Sequence, residues 1–428
     1  MSTPLTSAHR STTTVSWVWK ADLALVALGV GYAAGNAAWA TLDPHRIWGR
    51  QALIASVAVL VVAGIGIGVT SARQDPPRSR VRWAALLWGV TAVAWVVVPT
   101  ARLTTDRAEG IHHRAQSEVI VIENAGDRLR RTGSPYLSPA GIDHALSEPG
   151  VGVRAYVAYG TTMALFGLPR SVFGVHAWTD ARVWFLLVSM LAALAALRIA
   201  CLSAEGSLRI AQALTVLPPA ALTIATGGDD LPVVALCLLG LALGQRRRWG
   251  WAGVVLGLAV SMKYLALPTA VVAAWWAAHD TRIEPEAARG QGTRVAATIL
   301  AVPALTLMPA ILHDPSAVAE NLLRYPLGLA RRASTAASPL PGRLISEHLP
   351  GGHVLAVALL GLGALAVVTW LWRHPPTDGA AAAAAAALAL GVATLLAPSP
   401  RFGYLIHPIA LGAWWAALRL FPRQPISV

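Results

Sequence analysis

Apolar and polar positions fall into long alternating blocks along this chain. Mostly apolar stretches occur at Ala21–Leu42, Gln51–Ser71, Trp83–Thr100, Ala181–Ala200, Leu208–Thr226 and Leu231–Gly244. More follow at Trp249–Ala278, Arg294–Leu312, Val354–Trp372, Gly379–Leu396 and Gly403–Leu420. Runs of about 17–25 apolar residues can cross a hydrocarbon core as helices. The pattern predicts an all-α, polytopic transmembrane protein of about 12 spans, with Trp249–Ala278 counted as a hairpin of two short helices. The polyalanine run Ala380–Ala387 reads as a small-residue packing face.

Composition agrees with the pattern. The 428 residues are 55% hydrophobic and 13% charged, where a soluble domain carries roughly 25% charged residues. The mean hydropathy is +0.56. Seventeen Trp against five Phe suit interfacial anchoring, because an indole joins an apolar body to one polar N–H. Cys201 and Cys237 lie in or beside apolar spans and read as buried free thiols.

A net charge of +13 suggests nucleic acid in a soluble protein, but in a polytopic one it reflects basic loops held on the cytoplasmic side. Arg73, Arg78, Arg80 and Arg82 follow the second span, Arg246-Arg247-Arg248 the sixth, and Arg373, Arg419 and Arg423 follow later ones. Placing these inside a cell membrane puts both termini in the cytoplasm. It puts Ala101–Asp180, the Asp229-Asp230 turn and His313–Gly352 outside. Val151–Leu168 is apolar enough to cross, but a crossing there would invert every later basic loop. It is therefore expected as a helix on the outer leaflet. The resulting plan has a disordered cytoplasmic tail (1–20), a three-span region (21–100) and an outer loop with amphipathic juxtamembrane helices (101–180). The remaining transmembrane region (181–428) contains the second outer loop (313–352).

Candidate chemistry gathers on that outer face. In Thr226-Gly227-Gly228-Asp229-Asp230-Leu231-Pro232 two carboxylates sit between spans, and each would cost roughly 2.5–3.5 kcal/mol at mid-membrane. In the first outer segment, Glu118, Ile122, Ala125 and Leu129 share a helical face, with Gly133 as a stop. Asp127 has Arg130 and Arg131 at ion-pair spacing. The second outer segment carries Arg324, Tyr325, Arg331, Arg332 and Arg343, against the usual bias of outer loops. Guanidinium forks suit phosphate oxygens, those of a lipid-linked sugar or of ordinary headgroups. Arg401 stands at a helix entrance, and Lys263 interrupts an apolar run, where it either joins the site or snorkels. Carboxylates and cations on one face match glycosyl transfer from a lipid phosphate: a base takes the acceptor proton and cations hold the departing phosphate.

At these residues the chain resembles the GT-C superfamily of polyprenyl-phosphate-dependent glycosyltransferases, and most of all family 87, the actinobacterial mannosyltransferases. Glu118, Ala125, Gly133 and Pro135-Tyr136 match the family's outer-loop pattern. Gly227-Gly228-Asp229-Asp230 matches a later turn, and Trp251 to Ala259 with Lys263 and Pro268 matches a Gly-x-x-x-Gly-Leu-Ala…Lys…Pro element. The chain departs from the family in three places. Glu118 stands where Asp is usual, Ala158-Tyr159-Gly160 replaces Tyr-Pro-Pro, and two extra spans come first.

The resemblance implies an inverting membrane enzyme that moves a sugar, mannose in these relatives, from polyprenyl phosphate to a cell-envelope glycan or glycolipid. Glu118 would be the base, with Asp229 or Asp230 as the alternatives. Asp229 and Asp230 would otherwise position the acceptor or bind a divalent cation, magnesium or manganese. Lys263, Arg324, Arg331, Arg332 and Arg401 would hold the donor phosphate, and Tyr136 and Tyr404 would line the substrate. Membrane lipid is the expected surrounding, and no nucleic acid is expected. A secondary transporter or lipid-linked-sugar flippase is the alternative class, and a non-catalytic lipid-sugar-binding subunit a third.

Overall fold

The computed structural model describes residues 9–72, 77–111, 113–332, 336 and 338–421. Arg73, Arg423 and the first eight residues of the expected tail lie outside them. The described residues form helices and no strand. Along the chain these are α1 (His9–Trp39), α2 (Asp43–Ala72), α3 (Pro77–Ala92), a π-turn (Val93–Val97) and α4 (Val98–Ala108). Next come α5 (Ser117–Thr132), α6 (Pro139–Ser147), α7 (Leu168–Phe173), α8 (Ala181–Ala200), α9 (Ala204–Thr215) and α10 (Pro218–Thr226). They are followed by α11 (Asp230–Gln245), α12 (Trp249–Met262), α13 (Leu267–Ala278), α14 (Pro285–His313) and α15 (Pro315–Ala319). The chain ends with α16 (Pro341–His348), α17 (Gly352–Arg373), α18 (Gly379–Leu396) and α19 (Ile406–Leu420).

Among the described residues, seven helices are long and apolar enough by themselves to cross a membrane, and α9 with α10, bent by 54°, makes an eighth if it is one span. The bend falls where Pro218 and Pro219 remove backbone donors. Fewer helices pass on length than the dozen expected. Asp230–Gln245, Trp249–Met262 and Tyr264–Ala278 are apolar but short. At about 1.5 Å per residue, 16 residues reach about 24 Å, less than a hydrocarbon core of about 30 Å. Residues 249–278 do form two short helices, broken at Lys263.

Other boundaries also differ from expectation. The first helix begins at His9, inside the stretch expected as a tail. The third apolar stretch continues through the π-turn to Ala108, so Arg102 and Asp106 belong to a helix and pair at 2.9 Å. Residues 151–168 are not a surface helix. Two 3-10 turns, Gly152–Ala155 and Thr161–Gly167, flank a non-helical stretch; Tyr156 and Val157 in that stretch, and Thr162, Met163, Ala164 and Phe166 in the second turn, are buried. The apolarity that suggested a helix on lipid is spent on internal packing.

The chain divides into two compact units. In the first (residues 1–114 and 211–226), Trp48 Nε1 donates to the Trp95 carbonyl at 2.7 Å and Trp95 Nε1 donates to Ser56 Oγ at 3.0 Å. Gln212 donates to buried Asp22 at 2.9 Å, so these buried polar groups on apolar helices are paired.

The second unit (residues 115–210 and 227–428) contains the long connecting segments. One side chain stitches them: Asn321, fully buried, accepts from Val157 N at 2.8 Å and donates to the Leu137 and Ala317 carbonyls at 3.0 and 2.9 Å. Tyr156 and Tyr325 stack beside it, with ring centroids 4.3 Å apart. Helix α5 meets the 161–167 turn with almost no gap, since a Cβ on Gly167 would stand 2.3 Å from the Ile122 carbonyl oxygen. The polyalanine face of α18 is buried as its composition suggested, with Ala382, Ala383, Ala385 and Ala386 at most 1% exposed.

Candidate active site

Glu118 lies in the first turn of α5, where Ile122 and Ala125 continue its face into the core. The helix ends at Gly133, whose positive φ of 80° lets its N–H cap the Leu129 carbonyl at 2.9 Å. Glu118 forms an ion pair with Arg401 and accepts from Ser117 Oγ at 3.2 Å. The pair is lopsided: the Glu118 side chain is 7% exposed and that of Arg401 35%. A buried carboxylate is thus held by a cation that remains within reach from outside the protein. Asp127 pairs with Arg131 at 2.9 Å and accepts from Ser171 at 2.8 Å, which accounts for it structurally.

The second cluster forms where the turn before α11 meets the break after α12. Lys263 Nζ donates to Asp229 Oδ2 at 2.9 Å and to Asp230 Oδ1 at 2.7 Å. All three residues are buried. The ammonium also faces the rings of Tyr159 and Tyr404, 5.4 and 5.1 Å from their centroids. His407 Nε2 stands 3.1 Å from Asp230 Oδ1. Tyr159 lies beside Asp229. Burial, and then the Asp229 charge, push the Tyr159 phenol well above its ordinary range.

Local backbone explains this convergence. Gly160 N donates to the Met262 carbonyl at 3.0 Å, and a Cβ at Gly160 would stand 2.0 Å from the Ser261 carbonyl oxygen. Only glycine permits that approach, which sets Tyr159 beside the residue after Met262. Thr162 and Ser261 hydroxyls bond at 2.7 Å. Tyr136 is buried and donates to the Tyr159 carbonyl at 3.0 Å. Burial raises its phenol well above the ordinary value. Tyr136 therefore supports Tyr159 from behind.

The structure brings Glu118, Asp229, Asp230, Lys263, Arg401, Tyr136 and Tyr404 into one region. It places the other cations elsewhere: Arg324 pairs with Glu320 at 3.3 Å and Arg331 with Asp143 at 2.5 Å, around the Tyr156–Tyr325 stack, and Arg332 is exposed. Lys263, expected to hold phosphate, is committed to the two aspartates. Its ammonium takes the place between their carboxylates where a divalent ion would sit, so the residues do not fit a metal there. No group of three or more His, Cys, Asp or Glu able to hold a metal occurs among the described residues. Sequence reasoning missed His407 and Tyr159. Neither has a spacing signal; His407 is only a histidine in an apolar helix.

The family model of glycosyltransferase family 87 matches residues 156–400. ArnT from Cupriavidus metallidurans, in a crystal structure of its apo state, has a similar fold at a TM-score of 0.50 and 17% identity. The match covers 78% of this chain and 60% of that one, so the chain spans well under two thirds of the ArnT length. No curated protein matches the chain. The family match together with the ArnT-like fold supports the GT-C superfamily. With more than half of its length matched, the chain belongs to glycosyltransferase family 87.

Proposed function

We propose that this membrane protein transfers a sugar, mannose, from a polyprenyl-phosphate donor to a cell-envelope glycan or glycolipid at the outer face of the membrane. The observation that carries the reading is the ion pair between buried Glu118 and half-exposed Arg401. An inverting transfer needs one carboxylate to accept a proton and one cation to receive a leaving phosphate, and this pair supplies both at one point.

The donor's phosphate competes with Glu118 for the Arg401 guanidinium, whose planar fork suits either oxyanion. As Arg401 turns to the phosphate, Glu118 becomes free to accept the proton of the acceptor hydroxyl. The hydroxyl oxygen bonds to the anomeric carbon. The bond from that carbon to the phosphate oxygen breaks, and its electron pair leaves with the phosphate, which Arg401 neutralises. Asp229, Asp230 and Lys263 form an internally paired block that shapes the floor of the site. Tyr404, over Lys263, lines the substrate. Arg324, Arg331 and Arg332 belong to headgroup contact, where arginines on an outer loop meet lipid phosphates.

The test is transfer of radiolabelled mannose from polyprenyl-phosphate mannose to extracted envelope acceptors by the protein in lipid nanodiscs. Label in the acceptor supports the reading. No transfer, together with movement of the lipid-linked sugar across vesicles containing the protein, contradicts it in favour of a flippase.

A further inference from the structure

We infer that His407 is a positioning residue for Arg401, a role that rests on the reading of Arg401 as a ligand of the donor phosphate. His407 lies in the first turn of α19 and is 1% exposed. Its Nε2 is 3.1 Å from Asp230 Oδ1, the oxygen that also accepts from Lys263. An ionised carboxylate only accepts, so Nε2 carries the proton and donates.

Arg401 stands just before this helix, at the head of the 3-10 turn Phe402–Leu405. The turn is held at both ends. Upstream, Ser338 N donates to the Pro400 carbonyl and Phe402 N donates to Ser338 Oγ, each at 3.0 Å. Downstream, Tyr404 covers Lys263 and His407 bonds Asp230. The backbone on either side of Arg401 is thereby fixed to the aspartate turn and to residue 338, while its side chain is 35% exposed. His407 ties the start of α19 to the aspartates, and so sets the place from which Arg401 reaches both Glu118 and an incoming phosphate. A histidine that merely filled space would be replaceable by any side chain of similar volume, and its effect would be independent of Arg401.

The experiment measures the Kd for polyprenyl phosphate in nanodiscs holding the full chain, with thermal unfolding of each variant alongside. Wild type is compared with His407→Leu, His407→Asn, His407→Gln, Arg401→Met and the double variant His407→Leu/Arg401→Met. Leucine removes the donor, asparagine holds its amide short of Asp230, and glutamine places an N–H near the position of Nε2. Loss of the bond is expected to weaken binding about tenfold in the Leu and Asn variants, with Gln within about twofold of wild type. The double variant is expected to bind no more weakly than Arg401→Met alone, because the two changes act through one contact. Wild-type affinity in folded His407→Leu or His407→Asn overturns the inference. So does a double variant in which the two losses multiply. Wild-type affinity in Arg401→Met removes the donor-phosphate reading itself, a different failure from either of these.

Discussion

Arg401 closes on Glu118, so a guanidinium that is 35% exposed holds a carboxylate that is 7% exposed. That asymmetry organises the candidate site. The acid is fixed by helix α5 and shielded, while its cation sits where a substrate can draw it away. An acid and a cation locked together in the interior would be inert by comparison, since breaking a fully buried pair leaves an uncompensated charge.

Arg401→Met is expected to separate the two halves of this arrangement. It removes the phosphate ligand and leaves Glu118 without its cation. The donor KM should rise by about tenfold or more, as loss of a charge-assisted pair costs about 1.5–3 kcal/mol, while the acceptor KM stays within about twofold. Steady-state kinetics with each substrate varied in turn checks this. An equal rise in both KM values contradicts it.

Lys263→Met should act on stability. It leaves Asp229 and Asp230 side by side and buried without the ammonium that now lies 2.9 and 2.7 Å from them. Removing one partner of such a group costs about 3–5 kcal/mol. The triple change Asp229→Asn, Asp230→Asn, Lys263→Met should regain most of the loss, because no unpaired charge remains. Thermal unfolding in nanodiscs reports both; a Lys263→Met protein as stable as wild type would show that the ammonium does not hold the two carboxylates in the fold.

Asn321→Leu is expected to loosen the connecting segments. It removes one acceptor and two donor bonds, from Val157 N and to the Leu137 and Ala317 carbonyls. Each buried group left unsatisfied costs about 1–3 kcal/mol. Proteolysis should cut residues 137–160 faster in the variant, with the transmembrane helices unaffected.

Gly160→Ala should disturb the site through the backbone. The added methyl would lie 2.0 Å from the Ser261 carbonyl oxygen, so residues 159–160 must move away from α12. Tyr159 would then shift from Asp229 and Lys263. Transfer should fall by more than stability does; Gly167→Ala, with its methyl 2.3 Å from the Ile122 carbonyl oxygen, makes a useful comparison because it strains packing behind α5.

Much of this was legible in the sequence, and for physical reasons. Long apolar runs have few alternatives to membrane helices, and Glu118 announced itself as a carboxylate leading an apolar face. The paired aspartates stood out because charge beside apolar spans is costly. Residues 151–168 misled because apolarity does not distinguish burial in protein from burial in lipid. Lys263 looked like a phosphate ligand because its partners lie far away in sequence, at Asp229 and Asp230. His407 and Tyr159 gave no signal at all: each matters through a contact that only the folded chain creates. Gly160 read as a departure from a Tyr-Pro-Pro pattern, whereas its missing side chain is what admits the Ser261 carbonyl.

Glu118 as the base is tested by sugar transfer from polyprenyl-phosphate mannose by wild type and Glu118→Gln, with polyprenyl phosphate binding measured on the same preparations. Transfer is expected to fall about 10²–10⁴-fold in Glu118→Gln while binding is retained or tightened, since Arg401 no longer pairs with a carboxylate at position 118. Transfer at the wild-type rate in Glu118→Gln would contradict the assignment of Glu118 as the base.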